Sequence, residues 1–540
     1  MPQPVMPPPI TTRSKGCGIT GCGIFLDASQ RGLRVLLVEQ ADLASGTSSR
    51  SSKLLHGGLR YLKNLQFRVT RDSCHERDLQ IDLNPHLVTP LPWLYPTYVG
   101  DRPSGRQIGL GLWIYDRLTR NPDKHRRMSR DEMERFAPGS RQEHLDRAFL
   151  YTDARVDDAR LTAAVAATGF AYGGSLLTYT RAEEGRRDAD GHLVGLVLRD
   201  LLSGATHEVR ASLVVNAGGP WVDKVRAQLG CDGNRVRPSR GSHLIFDHAV
   251  VPIEGAMTMA SPDDRRPVFF IPHPEGVLVG TTDLFHHGKL DDPRPTRAEV
   301  DYMLRTLAVA FPSKPPRRED IRGAFAGVRP VLDSGTDDPS KASREEAVWL
   351  ENGLLSVAGG KLTTWRATAE ETVDKALALL PDAVRRRAAP CATHGTPLVG
   401  LSPADLGRDL AVVHKLPEGQ ANAMARRLGS LAWTACEHAE PSELQPLQDD
   451  VDLSVAELRC HLRYGAVSTL SDLLLRRARL GMWRPDLAAD LAPRLQDLWT
   501  TEMGTDFDRE AERFARELEA WSPQGVENGG DAGDTSGETP

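Results

Sequence analysis

The chain has 540 residues, enough for about two to four domains at roughly 150 residues each. Hydrophobic residues make up 40% and charged residues 26%, which is a soluble globular composition and excludes a wholly disordered or fibrous chain. Lys plus Arg is 67 and Asp plus Glu is 73, a net charge of −6, which excludes a bulk binder of nucleic acid because that needs a clustered basic field.

In chain order, MPQPVMPPPITTRSKG opens the sequence. It lacks the apolar core of a secretory signal and reads as a Pro-rich tail over residues 1–15. Up to about Leu380, β-like runs recur at Leu33–Val38, Leu193–Leu198, Ala211–Val215, His243–Phe246, Val268–Ile271, Val277–Gly280, Ala347–Leu350 and Leu354–Val357. Helical spacing over Asp157–Thr168 and Arg297–Phe311 lies between them. This mixture predicts an α/β layer with a parallel sheet plus an α+β layer with a mostly antiparallel sheet, interleaved over residues 16–380. From about Pro381 the strands vanish. Ala404–His414, Ala421–Cys436, Val455–Tyr464, Thr469–Leu480 and Leu487–Met503 predict a separate α-helical C-terminal domain over residues 390–520. Residues 524–540 are polar, Gly-rich and predicted to be a disordered tail. The seven cysteines show no C-x-x-C and no zinc-like spacing, so they are expected to be reduced thiols of a cytosolic protein with no metal site. No apolar run approaches the roughly 18 residues of a membrane-spanning helix.

Gly16-Cys17-Gly18-Ile19-Thr20-Gly21 is a G-x-G-x-x-G. Its glycines let a pyrophosphate approach the backbone at a helix N-terminus. A helix-like stretch follows, then a strand ending at Glu39-Gln40, where an acid suits a ribose hydroxyl pair. The segment in front is anomalous. Ile10 is its one strongly apolar residue, and Arg13 and Lys15 would bring charge into a central strand. Either a poor strand survives there or the first strand is defective.

Residues 42–62, DLASGTSSRSSKLLHGGLRYL, resemble the second cofactor-contacting stretch of the FAD-dependent glycerol-3-phosphate dehydrogenases, within the D-amino-acid-oxidase-like flavoproteins. Residues 156–161 (VDDARL), 216–221 (NAGGPW), 240–243 (RGSH), 272–273 (PH), 280–283 (GTTD), 327–330 (GVRP), 343–344 (SR) and 359–365 (GGKLTTW) resemble that family's signatures in the same order. The resemblance implies a Rossmann-like FAD-binding domain interleaved with the antiparallel-sheet substrate domain. It also implies oxidation of sn-glycerol 3-phosphate to dihydroxyacetone phosphate. Two departures stand out: Arg240 replaces a common Lys, and Trp365 a more usual Tyr.

On this resemblance, Gly16, Gly18, Gly21, Glu39, Gln40, Thr47, Ser48, Ser52, Lys53, Leu54, His56, Gly57, Gly58, Gly218, Lys361, Leu362, Thr363 and Thr364 contact FAD. Arg60, Tyr61, Arg344 and Lys361 line the substrate pocket. The residues make chemical sense without the name. Ser45, Thr47, Ser48, Ser49, Ser51 and Ser52 supply small hydroxyl donors around Gly46. Arg329 lies in the apolar run AGVRPVL, where a cation is costly unless an anion satisfies it. A phosphomonoester, with about −1.5 to −2 charges, is such an anion. His243 suits the base that takes the C2 hydroxyl proton, and Arg329 can share the work by stabilising alkoxide character. His56 and His273 fit flavin-side packing.

With one dinucleotide motif and no iron–sulfur pattern, the electrons must leave to a separate acceptor. The resemblance implies a quinone, with peripheral attachment to the cytoplasmic face of the membrane. Residues 473–484, LLLRRARLGMWR, are basic and apolar and read either as an interfacial segment or as a core helix with a charged face. A homodimer is left open. Two other readings also stay open: a related flavoenzyme acting on another hydroxy acid or amine, and a homologue impaired in FAD binding by its first strand.

Overall fold

The structure, a computed structural model, describes residues 10–12, 16–59, 62, 66–120, 122–335, 346–401, 403, 405–448 and 451–527. Two sheets drawn alternately from the chain organise it. The first has the strand order Ala347–Glu351, Leu354–Ala358, Leu213–Asn216, Ile10–Thr12, Val35–Val38, Ser175–Leu177. All its pairs are parallel except the edge pair Ala347–Glu351 with Leu354–Ala358. Helices Ile19–Gln30, Asp158–Ala171 and Trp365–Leu379 cover one face through Phe25, Leu37, Val165, Val215 and Val373. A three-stranded sheet, Thr180–Arg187, Leu193–Asp200 and Thr206–Arg210, covers the other through Ala182, Leu196 and Leu198. Both faces are therefore buried, which is why Val35–Val38 and Leu213–Val215 are unbroken apolar runs.

The doubtful first strand exists. Ile10–Thr12 is only three residues long, yet it pairs with Val35–Val38 on one side and Leu213–Asn216 on the other. A backbone ladder on both edges holds it without needing a long apolar run. The expectation that residues 1–15 are a tail is corrected for residues 10–12; the rest of that stretch lies outside the described residues.

The second sheet runs Leu284–Phe285, Val236–Phe246, Gly276–Gly280, Pro267–His273, Ala256–Ala260, Val88–Tyr98, Leu145–Val156, Leu54–Leu55. Gly323–Leu332 also pairs with Val236–Phe246, and Arg126–Met128 with Leu145–Val156. Its pairs are antiparallel except Ala256–Ala260 with Val88–Tyr98. The strand Val88–Tyr98 is not evident from the sequence because it holds Pro90, Pro92 and Pro96. These share one parity, so their missing N–H groups fall on one edge, where Ala256–Ala260 pairs only at Trp93 and Leu94.

The C-terminal segment is mostly helical, with Leu406–His414, Glu418–Leu428, Leu431–Glu437, Val455–Tyr464, Pro485–Leu491, Gln496–Met503 and Phe507–Glu519. The expected stretch Ala421–Cys436 is broken at Gly429, whose φ is +58°. Contrary to expectation, strands do not vanish here: Pro446–Gln448 and Val451–Ser454 form a small hairpin. Residues 524–527 are also structured rather than tail, since Glu527 donates its N–H to Pro295 and accepts from Arg297. The segment is not a separate body. Leu406 to Cys460 build a core of their own, but Val451 to Trp521 share one with Leu54, Trp93, Tyr151, Ile245 and Phe325 of the second sheet.

Residues 473–484 resolve as core. Leu473, Leu474, Leu475, Arg476, Arg477, Arg479, Met482 and Trp483 are all buried, so the interfacial reading is overturned. The arginines can be buried because carboxylates meet them. Asp42 Oδ2 accepts from Arg476 at 2.5 Å and Arg477 at 2.9 Å, and its Oδ1 from Arg477 at 2.7 Å. Asp42→Ala should leave Arg476 with Asp472 and Arg477 with only the Gly465 and Ala466 carbonyls, and cost about 3–5 kcal/mol, read as a lowered denaturation midpoint; an unchanged midpoint would remove Asp42 from the stability of this junction.

Candidate active site

The strand Val35–Val38 of the parallel sheet is followed by Glu39, whose buried carboxylate accepts from the N–H of Cys17 (2.9 Å) and of Ala41 (2.9 Å). This fixes the acid against the glycine-rich turn. Gly18 is the N-cap of the helix Ile19–Gln30. A Cβ on Gly21 would overlap the carbonyl oxygen of Gly16, so those two glycines set the turn while Gly18 faces the cleft. Ser48 Oγ accepts from Ile19 N–H at 2.9 Å, and Thr47 Oγ1 donates to Val328 at 2.5 Å. The hydroxyl-rich loop is thereby tied to both the helix N-terminus and the strand Gly323–Leu332.

A cleft of about 1290 Å³ starts at these groups. Of the predicted residues, Gly18, Glu39, Thr47, Ser48, Ser52, Leu54, His56, Gly218, His243, Arg329, Lys361, Leu362 and Thr363 line it. Gly359 and Gly360 have φ of +79° and +76°, a left-handed turn that suits glycine and carries Lys361–Thr363 into the cleft. Thr363 Oγ1 accepts from His56 N–H at 3.2 Å and clasps this turn to the loop before it.

His243 lies on the strand Val236–Phe246, opposite Phe325 of Gly323–Leu332, and stacks on that ring at 5.0 Å with a 16° interplanar angle. Its Nε2 is 2.9 Å from Ser52 Oγ, and its buried Nδ1 has no hydrogen-bond partner among the described residues. Burial, then Arg329 and Lys53, hold the imidazole pKa well below its ordinary value, so His243 is neutral. Arg329 reaches the same cleft. It donates to Thr281 Oγ1 at 3.0 Å and pairs with Asp283 at 3.3 Å, and a Cβ at Gly241 would collide with its guanidinium. Arg240 does not face the cleft; its charge is spent on buried Glu299 at 3.0 Å.

Several predicted contacts are placed elsewhere. Lys53 is fully buried off the cleft, bonding Asp158 at 2.7 Å and the Ser49 carbonyl at 3.0 Å. Gly57 packs against Tyr115 and Cys74, and its N–H donates to Tyr115 Oη (2.9 Å) and Asp153 (3.2 Å). Gly58 has φ of +74°, and neither Gly58, Gln40 nor Thr364 lines the cleft. His273 packs on Trp483 at 4.9 Å, away from the cleft. Arg60, Tyr61 and Arg344 lie outside the described residues. Two buried carboxylates have no role assigned from the sequence. Asp158 accepts from the Ser51 N–H and hydroxyl, Lys53 and Arg479, and Asp153 accepts from Tyr115 and Arg77. The sequence signal for Asp158 is an acid pair between Val156 and Leu161, apolar residues that are themselves buried.

The cleft suits an elongated dinucleotide. The Glu39 carboxylate, the helix N-terminus, His243 and Leu362–Thr363 all line the cleft, and a Cβ on Gly18 would meet Ser48 Oγ at 3.2 Å. Fold and site together define an FAD-dependent oxidoreductase. The family profile described as FAD dependent oxidoreductase matches residues 16–375, and that described as the C-terminal domain of alpha-glycerophosphate oxidase matches residues 391–510. Glycerol-3-phosphate dehydrogenase 2 of Mycobacterium tuberculosis is 35% identical over 525 residues, covering 94% of this chain and 87% of its own length. Aerobic glycerol-3-phosphate dehydrogenase of Staphylococcus haemolyticus is 35% identical over 480 residues, covering 86% and 85%. The crystal structure of the Bacillus halodurans glycerol-3-phosphate dehydrogenase complexed with FAD superimposes with a TM-score of 0.76 at 28% identity, covering 96% of this chain and 95% of that one. The chain belongs to the FAD-dependent glycerol-3-phosphate dehydrogenase family, and its cofactor is FAD. Gly21→Ala should lower the flavin content of the purified protein by about tenfold or more, read from visible absorbance; full flavin content would refute the close approach.

Proposed function

We propose that the protein oxidises sn-glycerol 3-phosphate to dihydroxyacetone phosphate and passes the electrons to a quinone. The observation that carries this reading is that Arg329, Lys361 and neutral His243 share one cleft with the flavin-binding elements. Bound FAD supplies the two-electron acceptor. Lys361, together with Arg60, Tyr61 and Arg344, holds the phosphate. His243 takes the C2 hydroxyl proton, since its imidazole lines the cleft and a neutral imidazole can accept one. Arg329 stabilises negative charge as it develops on that oxygen.

For the acceptor, the support is the aromatic part of the cleft lining. Trp93, Tyr95, Tyr151 and Phe269 contribute to it, with Trp93 stacked on Tyr151 at 5.9 Å and edge-on to Phe269 at 5.2 Å. A flat apolar ring is the kind of ligand such walls take. Among the described residues no helix is long and apolar enough to cross a membrane. Peripheral attachment is supported instead by helices Phe67–Leu83 and Gly105–Leu118. They expose Phe67 (43%), Leu110 (60%) and Trp113 (49%) beside exposed Arg68, Arg71, Arg106 and Arg117. Helices that expose both apolar side chains and cations suit an anionic lipid surface, although Asp72 pairs with Arg68 and Arg71.

Anaerobic addition of glycerol 3-phosphate should bleach the flavin. Arg329→Ala should keep bound flavin but slow that bleaching by about a hundredfold or more; unchanged bleaching would refute its role. Because the imidazole pKa is depressed, the base form persists as pH falls. The wild-type bleaching rate should hold through the range in which an ordinary imidazole titrates and drop only in more acid solution. The protein should also co-sediment with anionic vesicles, and Leu110→Glu should release it; retention by the variant would move attachment to another face.

A further inference from the structure

The cleft is lined by cations that the chemistry above does not use. Arg102 and Arg265 line it and are also exposed, which places them at its mouth. Arg102 follows the strand Val88–Tyr98, and Arg265 and Arg266 lie in the turn between Ala256–Ala260 and Pro267–His273. The two loops meet where Arg265 pairs with Asp101, whose carboxylate also accepts from the Tyr98 N–H at 2.8 Å. The Arg141 guanidinium lies over the Tyr98 ring at 4.6 Å and lines the same cleft. Side-chain exposure falls from 55% at Arg265 through 34% at Arg266 to 23% at Arg329. Arg266 donates to the Asp283 carbonyl at 2.8 Å, and Arg329 pairs with the carboxylate of that residue at 3.3 Å. A line of cations thus runs from solvent to the guanidinium that shares the cleft with His243. Asp101, Asp264 and Asp283 offset Arg265, Arg266 and Arg329. Arg102 and Arg141 have no carboxylate partner among the described residues, so the mouth keeps a positive excess on a chain whose net charge is −6.

We propose that Arg102, Arg141 and Arg265 form an entry site for a phosphate monoester at the cleft mouth, which captures the substrate's phosphate before it passes inward to Arg329 and Lys361. The proposal deepens the reading above and rests on glycerol 3-phosphate as the substrate. A phosphate of about −1.5 to −2 charges is drawn to a cleft whose walls focus a positive field, and such fields raise association rates by about 10- to 1000-fold. A planar guanidinium resting on an aromatic ring presents its N–H fork to such an anion, as Arg141 does on Tyr98. An exposed ion pair holds weakly, so an incoming phosphate can take Arg265 from Asp101. The entry site acts on capture and leaves the transfer from C2 to the groups deeper in the cleft.

The test is anaerobic stopped-flow bleaching of the full-length flavoprotein by glycerol 3-phosphate, read as a second-order rate constant at low substrate and a limiting rate at saturation. In the wild type the second-order constant should fall several-fold between about 0.01 M and 0.15 M salt, as the Debye length shortens from about 30 Å to 8 Å, while the limiting rate holds. Arg141→Gln should lower the second-order constant about fivefold at the lower salt, leave the limiting rate within about twofold, and flatten the salt dependence. Arg102→Gln removes a side chain with no partner to lose, so it gives the same reading if the Arg141 variant does not fold. Arg186→Gln, in the three-stranded sheet, changes the net charge equally and should leave both constants at wild-type values. Wild-type second-order constants and salt dependence in both mouth variants overturn the entry site. An equal fall in Arg186→Gln overturns it too, because net charge alone would then account for the effect. Failure of glycerol 3-phosphate to bleach the wild-type flavin at any concentration overturns the substrate reading beneath it, so the two failures are distinct.

Discussion

Three arginines within four residues, Arg476, Arg477 and Arg479, reach out of the C-terminal segment and end on Asp42, Asp157 and Asp158. Each carboxylate belongs to an element that shapes the site. Asp42 opens the hydroxyl-rich loop, and Asp157 caps the helix Asp158–Ala171. Asp158 holds Ser51 and Lys53, one residue to either side of the serine that meets His243. Ions buried this deeply are tolerated only when every one is matched. The site loops, the first turn of that helix and the C-terminal segment must therefore form together.

That arrangement gives the helical segment a reason to exist. Its outer half has its own small core, but its inner half fills the space behind the antiparallel sheet and packs Trp521 on Phe325 at 5.2 Å. Arg479 has φ of +65°, just past a π-helical turn at Asp472–Arg477. Such turns are frequent where a helix must aim a side chain, and this one leads directly to the guanidinium that reaches Asp157 and Asp158. The cleft is thus walled by three parts of the chain: the parallel sheet and its glycine-rich turn, the antiparallel sheet with His243 and Arg329, and the loops pinned by the C-terminal arginines.

Much of this is legible in the sequence. The apolar runs mark the parallel strands because strands buried on both faces need continuous Val, Leu and Ile, and the glycine spacing marks the dinucleotide turn because Gly21 has no room for a side chain. The proline-bearing strand Val88–Tyr98 is not legible, since proline reads as a strand breaker until the unpaired edge is known. Nor is the fate of residues 473–484. An amphipathic basic helix looks the same whether its cations face lipid or buried carboxylates.

The sequence by itself determined a dinucleotide turn and the mixture of parallel and antiparallel layers, because these follow from local spacing and side-chain type, while its resemblance to a known family supplied FAD and the candidate site residues. Only the tertiary structure decided which cations meet the cleft and which are spent elsewhere. Arg329 and Lys361 face it, Arg240 is neutralised by Glu299, and Lys53 is held behind Phe325 by Asp158. The physical reason is that a charge acquires its role from the partner that desolvation forces on it, and that partner is brought from a distant part of the chain.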